Sequence, residues 1–296
     1  MNIQSTRHQQ LPAPETLSKN NFELLLRRIA DDIAFGTDES LFVGSGLEYA
    51  QSRPYEPGDP VRQIDWKVSA RMPVAYVKQH ETLKRLAMYF LIDTSASMQV
   101  SSTPLSKHAL AVWIAGALGL VALRRLSPVS VLSGGSRSKN LRQESLPSLS
   151  PDDLWRNLEP MRGLDFEEST ELTQRLDSLT LKLRERSVVV VLSDLFDDEV
   201  ISGLRKIGPG HDVIVFHLVD PAEEGNLQAG YFVGEESESN EHFLVKGRDR
   251  WLHHQDLERQ LAGADVSYLR LRTDQPPVMA IRNFLLTRLV LMRGQR

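Results

Sequence analysis

LAMYFLIDTSAS, residues 86–97, is the stretch of sequence that decides the fold. Its first seven residues form an unbroken apolar run, which is typical of a strand buried on both faces at the centre of a parallel sheet. The run ends in Asp93, and the hydroxyl-bearing residues Ser95 and Ser97 follow at alternate positions. A carboxylate in a core is costly unless it is paired, so this strand end predicts a binding site as well as a core.

Further strands of the same kind follow along the chain. SVVVVLSD (residues 187–194) is a second continuous apolar strand, and DVIVFHLVD (residues 212–220) is a third. The stretches between the strands have helical patterns, which implies right-handed βαβ crossovers. We therefore predict an α/β fold with a doubly wound, mostly parallel sheet, Rossmann-like, with helices on both faces.

The chain before residue 86 has a different character. Thr16 to Phe35 has the apolar spacing of an amphipathic helix. Residues 44–84 are punctuated by Gly and Pro, and Glu56-Pro57-Gly58-Asp59 is a turn sequence, which favours an irregular β module. The predicted domains are residues 1–85, with the helix and this module, and residues 86–296, with the sheet.

Composition narrows the function classes. The 296 residues carry a net charge of −4, which argues against general binding of nucleic acid or anionic membranes, and no cysteine is present. The longest apolar run, Ala109 to Leu123, is 15 residues long. A bilayer span needs about 20, so a buried core helix is the better interpretation. The first residues lack the apolar segment of a signal peptide, and we expect a cytoplasmic protein with no membrane span.

The carboxyl ends of the strands carry the candidate site. Ligands of open α/β sheets bind at this edge, and both Asp93 and Asp194 end apolar strands there. Ser95 and Ser97 lie in the loop after the first strand, and Thr170 can supply a third hydroxyl from another loop. Two carboxylates and three hydroxyls select a hard cation, Mg²⁺ or else Mn²⁺ or Ca²⁺.

The pattern D-x-S-x-S after a strand, with a later Thr and a strand-end Asp, resembles the metal-ion-dependent adhesion site of von Willebrand factor A domains. The resemblance covers roughly residues 86–296. It implies that Asp93, Ser95, Ser97, Thr170 and Asp194 hold the ion, and that an acidic side chain of a partner protein binds to it. Ser169 and Thr173 are close enough in sequence to replace Thr170 as the ligand.

A second resemblance lies in RPYEPGDPVRQIDWKVSAR, residues 53–71. This segment is similar to the signature of the bacterial family called domain of unknown function 58, whose members carry an A domain and are commonly associated with MoxR-type AAA+ ATPases. The resemblance implies an adaptor or co-chaperone of such an ATPase. Two interpretations of the motif stay open, a partner-binding surface and an ion-pair and aromatic network that fastens the module. Its residues are Arg53, Tyr55, Gly58, Asp59, Arg62, Asp65, Trp66 and Arg71.

Enzymatic signatures are incomplete. Asp93-Thr94-Ser95 resembles the nucleophile of haloacid-dehalogenase phosphatases, but Ser95 stands where their second Asp is needed. The sequence contains neither a GxxxxGK[ST] phosphate loop nor a GxSxG elbow. We expect a binding protein without a catalytic site. A metal-dependent phosphatase or hydrolase, and a structural A domain in which the Asp and Ser residues only form a capped turn, remain the alternatives.

Overall fold

The computed structural model describes residues 10–35, 48–81, 86–134, 146–163, 171–196, 198–223, 231–235, 242–246 and 254–294. Its strands are β1 (Glu48–Pro54), β2 (Tyr76–Glu81), β3 (Met88–Ile92), β4 (Val129–Ser133), β5 (Val188–Ser193), β6 (Asp212–Val219), β7 (Tyr231–Glu235), β8 (His242–Lys246) and β9 (Val266–Arg272). Its helices are α1 (Lys19–Ala34), α2 (Trp66–Ser69), α3 (Lys107–Arg124), α4 (Pro151–Leu158), α5 (Leu172–Lys182), α6 (Asp198–Ile207), α7 (His254–Ala262) and α8 (Pro277–Gly294).

A five-stranded sheet forms the centre of the fold, in the order β4-β3-β5-β6-β9. Every pairing in it is parallel, and Phe90 of β3 stands between Val131 of β4 and Val190 of β5. The chain adds β4 on one side of β3 and then β5 on the other, so the winding direction reverses at β3. This confirms the predicted doubly wound α/β fold and puts the topological switch point between β3 and β5.

Helices cover both faces of the sheet because the central strands are apolar on both sides. One core contains Phe90 and Ile92 with apolar side chains of α1, α3, α4 and α8. The other contains Leu91 with side chains of α5, α6 and α7. Alternate residues of β3 therefore enter opposite cores, as the pleat of a strand requires.

Helix α3 is the central helix of the first core. Every residue from Lys107 to Leu123 is buried, which explains why the helix is apolar on all sides. It is also the one helix among the described residues that is long and apolar enough to cross a membrane, and 94% of that span is buried inside the fold, as in a core helix. Thr103-Pro104 is typical of a helix start and predicts Thr103 as the cap of this helix. That prediction is wrong, because Ser106 is the cap and its side chain accepts a hydrogen bond from Ala109 N–H.

Helix α1 belongs to the same core although β1 and β2 separate it from the sheet in sequence. The rings of Phe22 and Trp113 lie 4.8 Å apart, and Trp113 Nε1 donates a 2.8 Å hydrogen bond to the Pro12 carbonyl. Gly116 allows the close approach, since a Cβ there would lie 2.8 Å from a methyl carbon of Leu26. The domain boundary at residues 85 and 86 stays a prediction.

Two small antiparallel pairs complete the structure. β1 pairs with β2 and closes the module that the Gly and Pro pattern predicted. β7 pairs with β8, also antiparallel, with Val233 opposite Leu244.

Candidate functional site

The candidate site lies at the carboxyl ends of β3 and β5, at the switch point of the sheet. Asp93 directly follows β3, and Asp194 directly follows β5. These strands are hydrogen-bonded neighbours, and Asp93 N–H continues the ladder by donating to the Leu192 carbonyl at 2.9 Å. Both aspartates are buried, so the fold brings two carboxylates together in a place with little water.

The carboxylate of Asp93 is held by hydrogen bonds from Ser95 and Ser193. Oδ1 accepts Ser95 N–H at 3.0 Å, and Oδ2 accepts the Ser193 hydroxyl at 2.6 Å. Burial, together with the negative charge of Asp194, raises the pKa of Asp93 from 3.8 to about 6, and the hydrogen bonds oppose that rise. The Asp93 carboxylate is therefore oriented by the protein and short of positive charge.

The two predicted serines come together beside Asp93. Ser95 caps a short 3₁₀ turn, Ala96–Gln99, and the hydroxyl oxygens of Ser95 and Ser97 lie 3.0 Å apart. Ser95 is buried and Ser97 is half-buried. Alternate residues therefore aim their hydroxyls at one point at the edge of the site, as the D-x-S-x-S spacing predicts.

Lys107 is a member of the site that the sequence did not reveal. It is the first residue of α3, and its Nζ lies 2.8 Å from Asp194 Oδ2 and also donates to Glu223 Oε1. Its side chain is only 1% exposed. Burial by itself would lower the pKa of the Lys107 ammonium, but the negative charges of Asp194 and Glu223 raise it above its ordinary value. The ammonium is thus a built-in cation of the site.

The charges of the site do not balance. Asp93, Asp194 and Glu223 contribute three carboxyl groups against the one ammonium of Lys107. Burial raises the pKa of Glu223, while Lys107 opposes the rise. The surplus of acidic groups over the single ammonium suits a further cation.

The donor types of the site are those that a divalent ion requires. Carboxylate and hydroxyl oxygens are the ligands that Mg²⁺, Mn²⁺ and Ca²⁺ prefer, and Asp93, Ser95 and Ser97 provide them close together. Among the described residues, no group of three or more His, Cys, Asp or Glu side chains could hold a metal ion, so any site here depends on hydroxyls. The residues fit a hard cation, with one complication, namely that Lys107 already occupies one oxygen of Asp194.

The predicted third hydroxyl cannot be placed. Thr170 and Ser169 lie outside the described residues, and Thr173 is in the first turn of α5. The neighbouring residue Glu171 donates its N–H to the Gly134 carbonyl at 3.0 Å, and Gly134 N–H donates to the Ile92 carbonyl at 2.7 Å. The start of α5 is therefore fastened to the same edge of the sheet as Asp93.

Asp220 fastens the loop between the serines and Lys107. Its carboxylate accepts hydrogen bonds from Ser102 N–H at 2.8 Å, from the Ser102 hydroxyl, and from the Ser101 hydroxyl at 3.2 Å. Thr273, after β9, reaches the same carboxylate at 3.4 Å. The signal for this residue was present in DVIVFHLVD, which ends in an aspartate as the other two central strands do.

His108 follows Lys107 in sequence and stabilises the start of α3, which carries Lys107. It is fully buried, its Nε2 donates to the Met161 carbonyl at 2.7 Å, and burial lowers its pKa. It links the start of α3 to the turn after α4, a contact that no sequence pattern indicated.

The motif at residues 53–71 divides into two groups, and the first is structural. Arg53 makes a bidentate ion pair with Asp59, with N–O distances of 2.8 and 2.7 Å, and Asp59 also accepts Glu56 N–H at 3.0 Å. The hydrogen bond from Arg53 holds the pKa of Asp59 below its usual range. Gly58 supplies the φ of 115° that this turn requires.

Asp65 fastens the other end of the module. Its carboxylate caps α2 by accepting the N–H groups of Lys67 and Val68 at 3.1 and 3.2 Å, and its own N–H donates to the Tyr76 carbonyl at 2.8 Å. The second group of motif residues is exposed, and it consists of Tyr55, Arg62, Trp66 and Arg71. The predicted fastening network therefore accounts for one half of the motif.

Comparison with known proteins gives two results. Residues 51–261 match the model of a family described as protein of unknown function DUF58. The uncharacterized proteins Rv1480 of Mycobacterium tuberculosis and Mb1516 of Mycobacterium bovis are each 25% identical to this chain over 276 residues, which is 90% of this chain and 87% of each relative.

Proposed function

This chain belongs to the DUF58 family, and on that premise we propose that it is a metal-dependent protein-interaction module. Its ion is Mg²⁺, or else Mn²⁺ or Ca²⁺, held at the carboxyl ends of β3 and β5. The module acts as an adaptor or co-chaperone and has no catalytic activity of its own. The proposed location is the cytoplasm, with which the absence of cysteine is compatible.

One observation carries the proposal, namely the convergence of two hydroxyls 3.0 Å apart with a pair of buried carboxylates. Asp93, Ser95, Ser97 and Asp194 would hold the ion, together with Thr170 as the predicted further ligand. A bound ion would supply a positive centre for an acidic side chain of the partner. The protein itself orients Asp93 through Ser95 N–H and the Ser193 hydroxyl, so this ligand needs little rearrangement.

The surroundings of the site suit a protein partner. Val100, after the 3₁₀ turn, and Phe196, two residues after Asp194, are both more than half exposed. Exposed apolar side chains beside the site offer a partner protein apolar area to bury, and buried apolar area is a general component of protein interfaces. A MoxR-type AAA+ ATPase is the proposed partner, and the family resemblance supports this choice.

A metal-free module is the second candidate, and Lys107 is the observation that favours it. Its ammonium already pairs with Asp194 and Glu223, so part of the buried negative charge is compensated without any ion. In that case the Asp and Ser residues only shape the loop after β3. The phosphatase alternative has no comparable support among the described residues.

Calorimetric titration with Mg²⁺ or Mn²⁺, and thermal unfolding with the same ions or with EDTA, separate the candidates. The ion should stabilise the wild type by about 2.7 kcal/mol at a hundredfold excess over its dissociation constant. Ser97→Ala should lose this gain. The control Ser150→Ala should keep it, since the Ser150 side chain makes no capping bond and lies before α4.

Equal unfolding in EDTA and in excess ion, with no heat of binding, would reject the metal and leave the metal-free module. Binding to the purified ATPase is then measured in Mg²⁺ and in EDTA. An interaction that needs the ion and is lost in Ser97→Ala supports the whole proposal. If the ATPase binds the wild type neither in Mg²⁺ nor in EDTA, the proposed partner is rejected.

A further inference from the structure

The β1–β2 module exposes large apolar side chains within one short segment. Trp66 is 68% exposed, and Val61, Met72 and Val74 are also exposed. A tryptophan left in water is unusual, and it is one of the residues most often found at the energetic centre of protein interfaces. We call the exposed part of residues 61–74 the Trp66 surface.

Three cations accompany this tryptophan. Arg62, Lys67 and Arg71 are all exposed, and none has an ion pair with any described residue. Two of the carboxylates nearby in sequence are engaged, because Asp59 is bound to Arg53 and Asp65 caps α2. The Trp66 surface is therefore basic, on a chain whose net charge is −4.

The backbone that presents the Trp66 surface is fixed at both ends. Tyr55 N–H donates to the Ala75 carbonyl, and Asp65 N–H to the Tyr76 carbonyl, each at 2.8 Å. Tyr76 N–H in turn donates to the Ser69 hydroxyl, also at 2.8 Å. A surface held in this way loses little conformational entropy when it binds, which favours affinity.

We propose that the Trp66 surface docks an acidic segment of a partner protein, one that carries an aromatic or large aliphatic anchor. The anchor packs on Trp66, and carboxylates on either side of it pair with Arg62, Lys67 and Arg71. Charge complementarity identifies the occupant as acidic, and the exposed indole calls for an apolar anchor. The surface shares no residue with the Asp93 site, so this contact holds whether or not that site binds an ion.

Selection from a displayed library of random 12-residue peptides, with the full-length chain as bait and EDTA present, tests this proposal. The first variant combines Arg62→Glu, Trp66→Ala and Lys67→Glu. The matched control combines Leu181→Ala, Arg184→Glu and Arg186→Glu, which removes an exposed apolar side chain and reverses two exposed cations before β5. Both variants change the net charge equally, and both should unfold at the wild-type temperature because every altered side chain is exposed.

The wild type and the control should select peptides rich in Asp and Glu around one aromatic or aliphatic residue. The first variant should not select such peptides. Trp66→Ala alone should weaken the binding of the best synthetic peptide about tenfold or more. Peptides without acidic enrichment, or acidic peptides that bind the first variant equally well, would overturn the proposal. A wild-type dimer that dissociates in the first variant would assign the surface to a second copy of the chain, which also overturns it.

Discussion

Replacement of Lys107 by Met is the most informative perturbation of the site. Met keeps most of the length of the side chain and removes its charge, so the packing at the start of α3 changes little. The substitution leaves Asp194 without its hydrogen-bond partner, and the Asp194 side chain is only 2% exposed. Glu223 also loses its partner, but at 15% exposure it retains some contact with water.

The size of the effect follows from these two exposures. Removing one partner of a buried ion pair costs about 3–5 kcal/mol, because a buried charge is left uncompensated. Asp194 bears the full cost, whereas Glu223 can be partly hydrated. We therefore expect Lys107→Met to lower the free energy of unfolding by about 3 kcal/mol. Adding Asp194→Asn to Lys107→Met should recover part of the loss, because it removes the stranded charge.

Urea unfolding in EDTA at pH 7.5, followed by tryptophan fluorescence, measures this difference. Lys19→Met is the matched control, since Lys19 is likewise the first residue of a helix behind a serine cap but is exposed. The control should stay within about 0.5 kcal/mol of the wild type. A loss below about 1 kcal/mol in Lys107→Met would refute the view that its ammonium compensates buried carboxylates. Excess Mn²⁺ should reduce the difference in the free energy of unfolding between Lys107→Met and the wild type, because the ion can then bind Asp194 without competition from the Lys107 ammonium.

Three further outcomes follow from single features. The pKa of Asp93 is about 6 in the folded protein against 3.8 in the unfolded chain, so the unfolded chain ionises first as the pH rises. The free energy of unfolding should therefore fall between pH 4 and pH 6. Asp93→Asn should remove this fall, as measured by urea unfolding with EDTA at pH 4 to 7. Gly208→Ala should lower the free energy of unfolding by about 3 kcal/mol, because its Cβ would lie 2.2 Å from the Ala264 carbonyl oxygen. The control Gly210→Ala should be nearly neutral in the same assay, because a Cβ there would meet open space. A fragment of residues 51–261 should show no cooperative unfolding by circular dichroism, because it lacks α1, β9 and α8.

Local pattern was enough for the sheet and for part of the site. The apolar runs at residues 86–92 and 188–192 form most of β3 and β5, because uninterrupted apolar segments of that length fit a strand buried on both faces. Asp93, Ser95 and Asp194 could be predicted to share one edge because parallel strands end together. In these cases the information lies within a few residues of each position.

Contacts between distant segments could not be read in this way. Lys107 looked like an ordinary polar residue at the start of a helix, and only the fold brings it to Asp194 and Glu223. Thr103 looked like a cap because Pro104 follows it, yet its hydroxyl bonds to the Leu105 carbonyl and to Thr273 instead. Local propensity gives way where tertiary hydrogen bonds offer the same side chain a partner.

The position of α1 against α3 and α8 has a consequence for how the chain is made. Helix α1 is amphipathic, and its apolar face cannot contact Trp113 until α3 has been synthesised. α8, which also contacts α1, is synthesised later still, since it begins at Pro277. Contacts of such long sequence separation close slowly, since the loop entropy is lost before the contacts form. The helical layer over this face of the sheet can be completed only after α8 has been synthesised, and until then a nascent chain exposes part of the surface that these helices will cover.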